Sequence, residues 1–288
     1  MNIFRKLFKS TEIQTNYDHI MTPIRCAIPG QTSSNFKFEF TQKLFGSYSN
    51  GNLFIFTPAN AFFQHTSTLT NNKDRLLQIT ANQDRSLQMR AMQIFKNFTF
   101  DFTSIISKKE GIYSQAELNC KNKTNAISLK LLSPTFIDTK PIYVFNILQN
   151  LNQYLSLGTE LVYSQDKKNV GINVAAKIET EKCCGVVLLQ QSSNLCIGAL
   201  KKINDFFTIA TEVSCEKSDK NWPQNIVANL GLLLETHKST VKVGIFSDMI
   251  SRIQIREKLA ENLALGIDGE LNHANDTQAL GISFSLDN

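Results

Sequence analysis

Asn169-Val170-Gly171-Ile172-Asn173-Val174-Ala175-Ala176-Lys177-Ile178-Glu179 decides how this chain is built. Every second residue, Val170, Ile172, Val174, Ala176 and Ile178, is apolar, while Asn173, Lys177 and Glu179 fall between them. Side chains along a strand point alternately to its two faces, so this stretch has one apolar face and one polar face. Similar runs, separated by polar turns, continue from about Asn35 almost to the last residue. A soluble sheet needs only a few such strands to cover a core. A chain built almost wholly of them, in strands of about nine to eleven residues, has the pattern of a barrel that crosses a lipid bilayer.

The bulk properties agree. The chain has 288 residues and shows no Pro/Gly/Ser-rich linker after its first thirty-odd positions, so we expect an N-terminal segment over 1–34 and one barrel domain over 35–288. Mean hydropathy is slightly negative at -0.16, as when half of each strand faces a polar lumen. No apolar run is long enough for a membrane helix; the best stretch, Gly185 to Leu200, is broken by Gln190-Gln191-Ser192-Ser193-Asn194, which reads as a hairpin turn. Met1-Asn2-Ile3-Phe4-Arg5-Lys6-Leu7-Phe8-Lys9 lacks the apolar core of a secretory signal. This favours an organellar outer-membrane barrel over a secreted one. Cys26, Cys120, Cys183, Cys184, Cys196 and Cys215 show no ligand spacing and read as reduced thiols. Without a secretory route, the acceptor patterns at Asn97, Asn122 and Asn275 are chance matches. A net charge of +5 is too small and too evenly spread for a nucleic-acid surface.

Strands are expected near 35–43, 51–57, 61–69, 74–82, 86–93, 97–104, 111–119, 125–132 and 141–149. Others follow near 154–164, 169–179, 183–191, 195–202, 206–215, 224–235, 239–246, 251–257, 262–271 and 278–286, joined by turns that read as short throughout. Faces such as Phe98/Phe100/Phe102, Tyr143/Phe145/Ile147 and Leu280/Ile282/Phe284/Leu286 carry no charge. The physical cause is that a lysine facing lipid at mid-depth costs about 2–4 kcal/mol. The charges lie out of phase with these faces and would line a hydrated lumen of mixed sign, wide enough for water at this strand number. A soluble sandwich or propeller would show Greek-key crossovers or a blade repeat, and neither is present.

Ile3, Phe4, Leu7 and Phe8 oppose Arg5, Lys6 and Lys9 at helical spacing. That segment reads as a helix in or at the mouth of the pore, as a cleavable organellar presequence, or as a solvated tail. The four histidines are scattered, and no phosphate loop or nucleophile elbow occurs, so we expect neither an enzyme nor a cofactor.

Ser133-Pro134-Thr135-Phe136, then Ile142-Tyr143-Val144-Phe145-Asn146-Ile147-Leu148-Gln149-Asn150-Leu151, then Leu155-Ser156-Leu157-Gly158-Thr159-Glu160-Leu161-Val162-Tyr163-Ser164 form a specific series. It resembles the channel-forming subunits of the translocase of the outer mitochondrial membrane, the TOM complex. Their pattern is a Pro-containing turn, a strand ending in Leu-Gln, and an apolar-Gly-x-Glu-apolar-x-Tyr strand. Gly198-Ala199-Leu200-Lys201-Lys202-Ile203-Asn204-Asp205, leading to Thr211-Glu212-Val213, resembles the next shared element. The resemblance spans roughly residues 120–286. It implies an all-β, up-and-down transmembrane β-barrel of about nineteen strands, a number also found in the sister voltage-dependent anion channel. The first and last strands would be parallel, Asn35–Lys43 beside Gln278–Leu286, with a short N-terminal helical segment in or near the pore. Gly281, Phe284 and Leu286 match the Gly and apolar positions of that family's C-terminal sorting signal, although Ala279 stands where a polar residue is usual. Set against that family, the short N-terminus and the stop at Asn288, which leaves no C-terminal helix, suggest a reduced member, from a reduced mitochondrion-related organelle.

The resemblance further implies passage of unfolded precursor proteins, a mitochondrial outer-membrane location, and assembly with other TOM subunits and receptors in an oligomeric complex within outer-membrane lipid. Because presequences are basic amphipathic helices, acidic residues on the lumen face are the candidate contacts: Glu39, Asp101, Glu117, Glu160, Glu212, Asp268 and Glu270. Lumen apolar residues such as Val144, Val162 and Leu233 could touch unfolded segments. A metabolite pore of the voltage-dependent anion channel type is the alternative with the same barrel, and a soluble β-rich interaction protein the alternative of another class.

Overall fold

The computed structural model describes residues 16–71, 74–108, 111–133, 140–166, 168–191, 193–216 and 225–287. The alternation becomes nineteen strands. They are β1 (Phe36–Phe45), β2 (Tyr48–Phe56), β3 (Ala61–Asn71), β4 (Arg75–Asn82), β5 (Leu87–Phe95), β6 (Phe98–Ser107), β7 (Gly111–Lys121), β8 (Asn125–Ser133), β9 (Ile142–Asn150) and β10 (Leu155–Ser164). There follow β11 (Asn169–Glu179), β12 (Cys183–Gln190), β13 (Asn194–Lys202), β14 (Phe207–Glu216), β15 (Asn225–Glu235), β16 (Ser239–Phe246), β17 (Ile250–Ala260), β18 (Leu263–Asn272) and β19 (Thr277–Asp287). Each pairs antiparallel with its sequence neighbours, and β1 closes the sheet by pairing parallel with β19, from Phe36↔Ile282 to Thr41↔Asp287. An odd number of alternating strands leaves its first and last members pointing the same way, so the seam is parallel.

Cross-strand register carries one phase round the barrel. Glu160 pairs with Asn173, Ala175 with Leu188, Cys196 with Ser214, Glu212 with Asn229, and Arg252 with Glu270, all on the inner face. The outer face carries Phe100, Phe145, Ile172, Val174, Ile245 and Leu280, all exposed. In water such a surface would be an aggregation site; against hydrocarbon chains it is satisfied. The strand charges named in the sequence reading all lie inside, while Arg75, Lys201 and Glu257 face outward near strand ends. Cys183 is exposed and its neighbour Cys184 buried, the opposite orientation that alternation requires, and all six thiols are free.

Most connections are tight. Asn152, Asn204 and Asn272 each accept backbone N–H bonds two and three residues on, and Thr57, Thr180 and Thr236 bridge their turns through the hydroxyl. These Asx and hydroxyl turns let strands reverse with little glycine. Two connections, 134–141 and 217–224, are longer than the short turns expected throughout.

The buried apolar cluster lies within the lumen. Tyr17, Ile20, Met21, Ile24, Ala27 and Ile28 pack against Ala126, Leu148, Ala175, Cys184, Val186, Cys196 and Ala210 of the inner wall. They belong to a 3-10 turn at Tyr17–His19 and a short helix, α1 (Thr22–Ala27), opened by Pro23, which suits the first turn of a helix because its missing N–H has no partner there anyway. The amphipathic stretch Ile3–Lys9 lies outside the described residues.

The two-faced wall gives a matched pair of outcomes. Val174→Lys, on the lipid face of β11, is expected to lower stability by about 2–4 kcal/mol, and Gln78→Lys, on the lumen face of β4, by less than about 1 kcal/mol. Urea unfolding from lipid vesicles, followed by tryptophan fluorescence, measures both.

Candidate functional site

Residues 16–35 run round the inside of the barrel as a hoop, meeting the wall strand after strand. The Asn16 amide donates to Asn119 on β7 at 3.1 Å. Asp18 takes Lys130 of β8 at 2.5 Å and the Asn146 amide of β9 at 3.2 Å. Tyr17 lies over Gly158 of β10, and Met21 and Ile24 over Gly198 of β13. Arg25 donates through Nε and Nη2 to Glu212 Oε1 on β14, at 2.9 and 2.7 Å. Ile28 lies over Gly231 of β15 and Pro29 over Gly244 of β16. The Thr32 backbone N–H donates to Glu270 on β18 at 3.1 Å, and the Ser33 carbonyl rests on Gly281 of β19. The chain then enters β1.

Small residues make this path possible. A Cβ on Gly231 would lie 2.8 Å from the Ala27 carbonyl oxygen and the Ile28 Cα, and one on Gly244 would lie 2.5 Å from Pro29 Cγ. Both are closer than van der Waals contact allows, and at Gly231 the obstruction is backbone, which cannot swing aside. Ala175 and Ala210, 1% and 0% exposed, line the same groove. Burial and the nearby carboxylates of Glu160 and Asp18 push the Tyr17 phenol well above its usual range, so it stays neutral, and its buried hydroxyl has no hydrogen-bond partner among the described residues.

All seven acids named from the sequence face the lumen, and the structure sorts them. Glu212 and Glu270 hold the hoop directly. Glu212 Oε1 also receives the Cys196 thiol at 3.3 Å, and Glu270 accepts Arg252 Nε at 2.7 Å. Glu117 lies 3.8 Å from the Lys130 ammonium that binds Asp18, and Glu160 accepts the Asn173 amide at 2.5 Å beneath Tyr17. Asp101 pairs with Arg90 through two guanidinium nitrogens, and Glu39 with Lys37 at 3.4 Å; both stand on the part of the wall that these hoop contacts leave bare. Asp268 Oδ1 is buried without a hydrogen-bond partner among the described residues, and Lys37, Lys242 and Arg256 act on it only through space. Val144, Val162 and Leu233 face inward as expected, Val144 buried. Sequence reasoning missed the hoop's own anchors, Asp18, Arg25 and Thr32, because nothing in their spacing couples them to residues over a hundred positions away. The glycines were a usable signal: Gly158, Gly198, Gly231 and Gly244 recur on the inner phase of strands that otherwise avoid glycine there. Of the three residues matched in sequence to a sorting signal, Phe284 and Leu286 face outward, while Gly281 faces inward under the hoop.

A family model described as eukaryotic porin matches residues 4–281. The chain belongs to the eukaryotic porin family. This porin is therefore a pore-forming outer-membrane channel, of a family of channels rather than enzymes. Curated protein sequences give no significant match to it. Among solved structures, a mutant of the porin of Rh. blastica aligns over 81% of this chain and 89% of its own, at 11% identity and a TM-score of 0.43. A likeness that weak carries no argument here.

The porin's hoop yields a test through two glycines. Gly231→Val forces the hoop backbone off the wall, so trypsin is expected to cleave at Arg25 and single-channel conductance to rise, with a stability loss of about 1–3 kcal/mol. Gly185→Val, on the outer face of β12 with open space around it, should leave proteolysis and conductance unchanged.

Proposed function

We propose that this porin is the protein-conducting channel of a mitochondrial outer-membrane translocase, passing unfolded precursors that carry basic amphipathic presequences. The observation that carries the reading is the placement of the motif residues that resemble the TOM channel subunits. Gly158, Gly198 and Glu212 face the lumen and meet one inner segment, whose short apolar-and-basic helix is itself held by a carboxylate through Arg25, and Glu160 faces the lumen near enough to act on Tyr17 through space. The lumen thus already binds, in its own chain, the kind of peptide that a presequence presents. Further carboxylates stand on the bare side: Glu39 forms an exposed pair with Lys37, of the kind that is worth little and exchanges readily, and Asp101 is held by Arg90 through two nitrogens. A passing chain meets successive weak acidic contacts and is not trapped by any one of them. Partner subunits and receptors of a translocase, and an oligomeric complex in outer-membrane lipid, belong to the same reading.

The second reading is a metabolite pore of the voltage-dependent anion channel type. It is favoured by Lys37, Lys242 and Arg256, whose combined charge exceeds that of Asp268 on the inner wall.

Single-channel recording separates the two. A synthetic basic amphipathic presequence peptide is expected to block the open pore transiently, with weaker block as salt shortens the Debye length. Glu39→Gln combined with Asp101→Asn should raise the blocking concentration about three- to ten-fold while leaving the hoop in place. Strong anion preference with voltage closure and no peptide block would select the metabolite pore.

A further inference from the structure

The inner wall beneath the start of the hoop gathers oxygens that have nothing to accept. One row of the ladder runs Asn119 on β7, Ser128 on β8, Asn146 on β9 and Glu160 on β10, each opposite the next. The Tyr17–His19 turn packs against β9 and β10 at this row. Carboxylates fix which way the amides point. Glu117 accepts Asn119 Nδ2 at 2.8 Å, so Asn119 Oδ1 accepts Asn16 Nδ2 at 3.1 Å and Asn16 Oδ1 is the end left over. Asp18 accepts Asn146 Nδ2 at 3.2 Å and leaves Asn146 Oδ1 in the same way. Turning any of these amides over would set oxygen against oxygen. Asn16 Oδ1, Asn146 Oδ1 and Ser128 Oγ are all buried without a hydrogen-bond partner among the described residues. Asn146 and Ser128 are 1% and 3% exposed.

Charge runs the same way. Asp18, Glu117 and Glu160 bring three carboxylates to this row. Among the described residues Lys130 alone pairs with any of them, 2.5 Å from Asp18 and 3.8 Å from Glu117. Glu160 accepts the Asn173 amide but has no ion pair. Three carboxylates against one ammonium leave an excess of two negative charges. Buried oxygens without a donor and carboxylates without a cation each carry a desolvation cost. Water relieves the first and not the second; a metal cation relieves both. The donor set is entirely oxygen, carboxylate with amide carbonyl and hydroxyl, which suits a hard cation. Calcium takes six to eight such oxygens in a flexible shell, whereas magnesium demands a strict octahedron and keeps several waters.

We infer that Asp18 and Glu160, with the orphan oxygens of Asn16, Ser128 and Asn146, form a calcium site that ties the first described residues of the hoop to β8, β9 and β10. Ligands come from both the hoop and the wall, so the ion bridges them and acts as a clasp. Asp18, whose side chain is 26% exposed, is the point of entry from the lumen. The clasp sits at one end of the hoop, far along it from the Arg25 and Thr32 anchors, and holds the end that those anchors leave to neutral contacts and Lys130. The inference needs only the barrel and its hoop and is independent of what passes through the lumen.

The test uses the full chain in phosphatidylcholine vesicles, first stripped with a chelator and then titrated with calcium to about 1 mM, the weak end of protein calcium sites. Calorimetry against empty vesicles is expected to show one calcium per chain, and bound calcium should slow trypsin cleavage at Arg25. Terbium, a calcium stand-in whose luminescence a nearby tyrosine excites, should light up on the native barrel and lose most of that signal in Tyr17→Phe. That variant keeps its fold and its calcium, because the Tyr17 hydroxyl has no hydrogen-bond partner to lose among the described residues. Glu160→Gln retains an oxygen for Asn173 and removes only the charge, so calcium binding should weaken about ten-fold. The fold of each variant is checked by heat-dependent gel mobility. No calcium binding by the native barrel overturns the inference and leaves a row filled by water only; this arm needs no variant. Equal protection by magnesium overturns it in favour of charge screening, and unchanged calcium binding in Glu160→Gln overturns it in favour of a site elsewhere.

Discussion

Every backbone N–H and C=O that faces hydrocarbon must find its partner within the protein, and the rest of this structure follows from that requirement. A sheet in lipid cannot keep an edge, so β1 has to reach β19. Closure then divides each strand between two solvents. The outer phase meets acyl chains and becomes apolar; the inner phase meets water and holds the charge. The sheet alone therefore encloses no oily interior, and the apolar packing that the protein does possess must come from a segment placed inside the lumen.

The hoop supplies that packing, and it makes the channel asymmetric. Along β7 to β19 the inner wall is small and close-fitting, and its acids Glu212 and Glu270 are committed to Arg25 and Thr32. Along β1 to β6 the wall carries Glu39 and Asp101 in ion pairs near the open space. Acids that look equivalent in a list of lumen carboxylates thus divide into structural anchors and candidate contacts for passing material. Substitutions at the two groups report on different things.

Much of the fold was legible because a strand's periodicity is local and the bilayer enforces it. The expected strand positions agree with the nineteen observed to within about three residues at their ends, and the lumen phase of Lys177, Glu212 or Arg252 could be read directly from neighbouring residues. The parallel seam followed from the odd count implied by the resemblance. The hoop was not legible. Tyr17–Pro29 has too few residues and too short a helix to show a period, and its ties, such as Arg25 to Glu212, join distant parts of the sequence with no local pattern between them.

The parallel seam also constrains how the molecule can be made. Phe36 must find Ile282, so the first strand waits for the last, and until then the sheet is an open ribbon with two hydrogen-bonding edges. Hairpins between sequence neighbours can form early, because their loops are short and cheap to close. The final pairing joins the two ends of the sheet and is the slowest kind of contact to establish. Closure is therefore a post-synthetic event. A cell that makes this barrel needs a means of shielding both edges while the chain travels from the ribosome to the membrane.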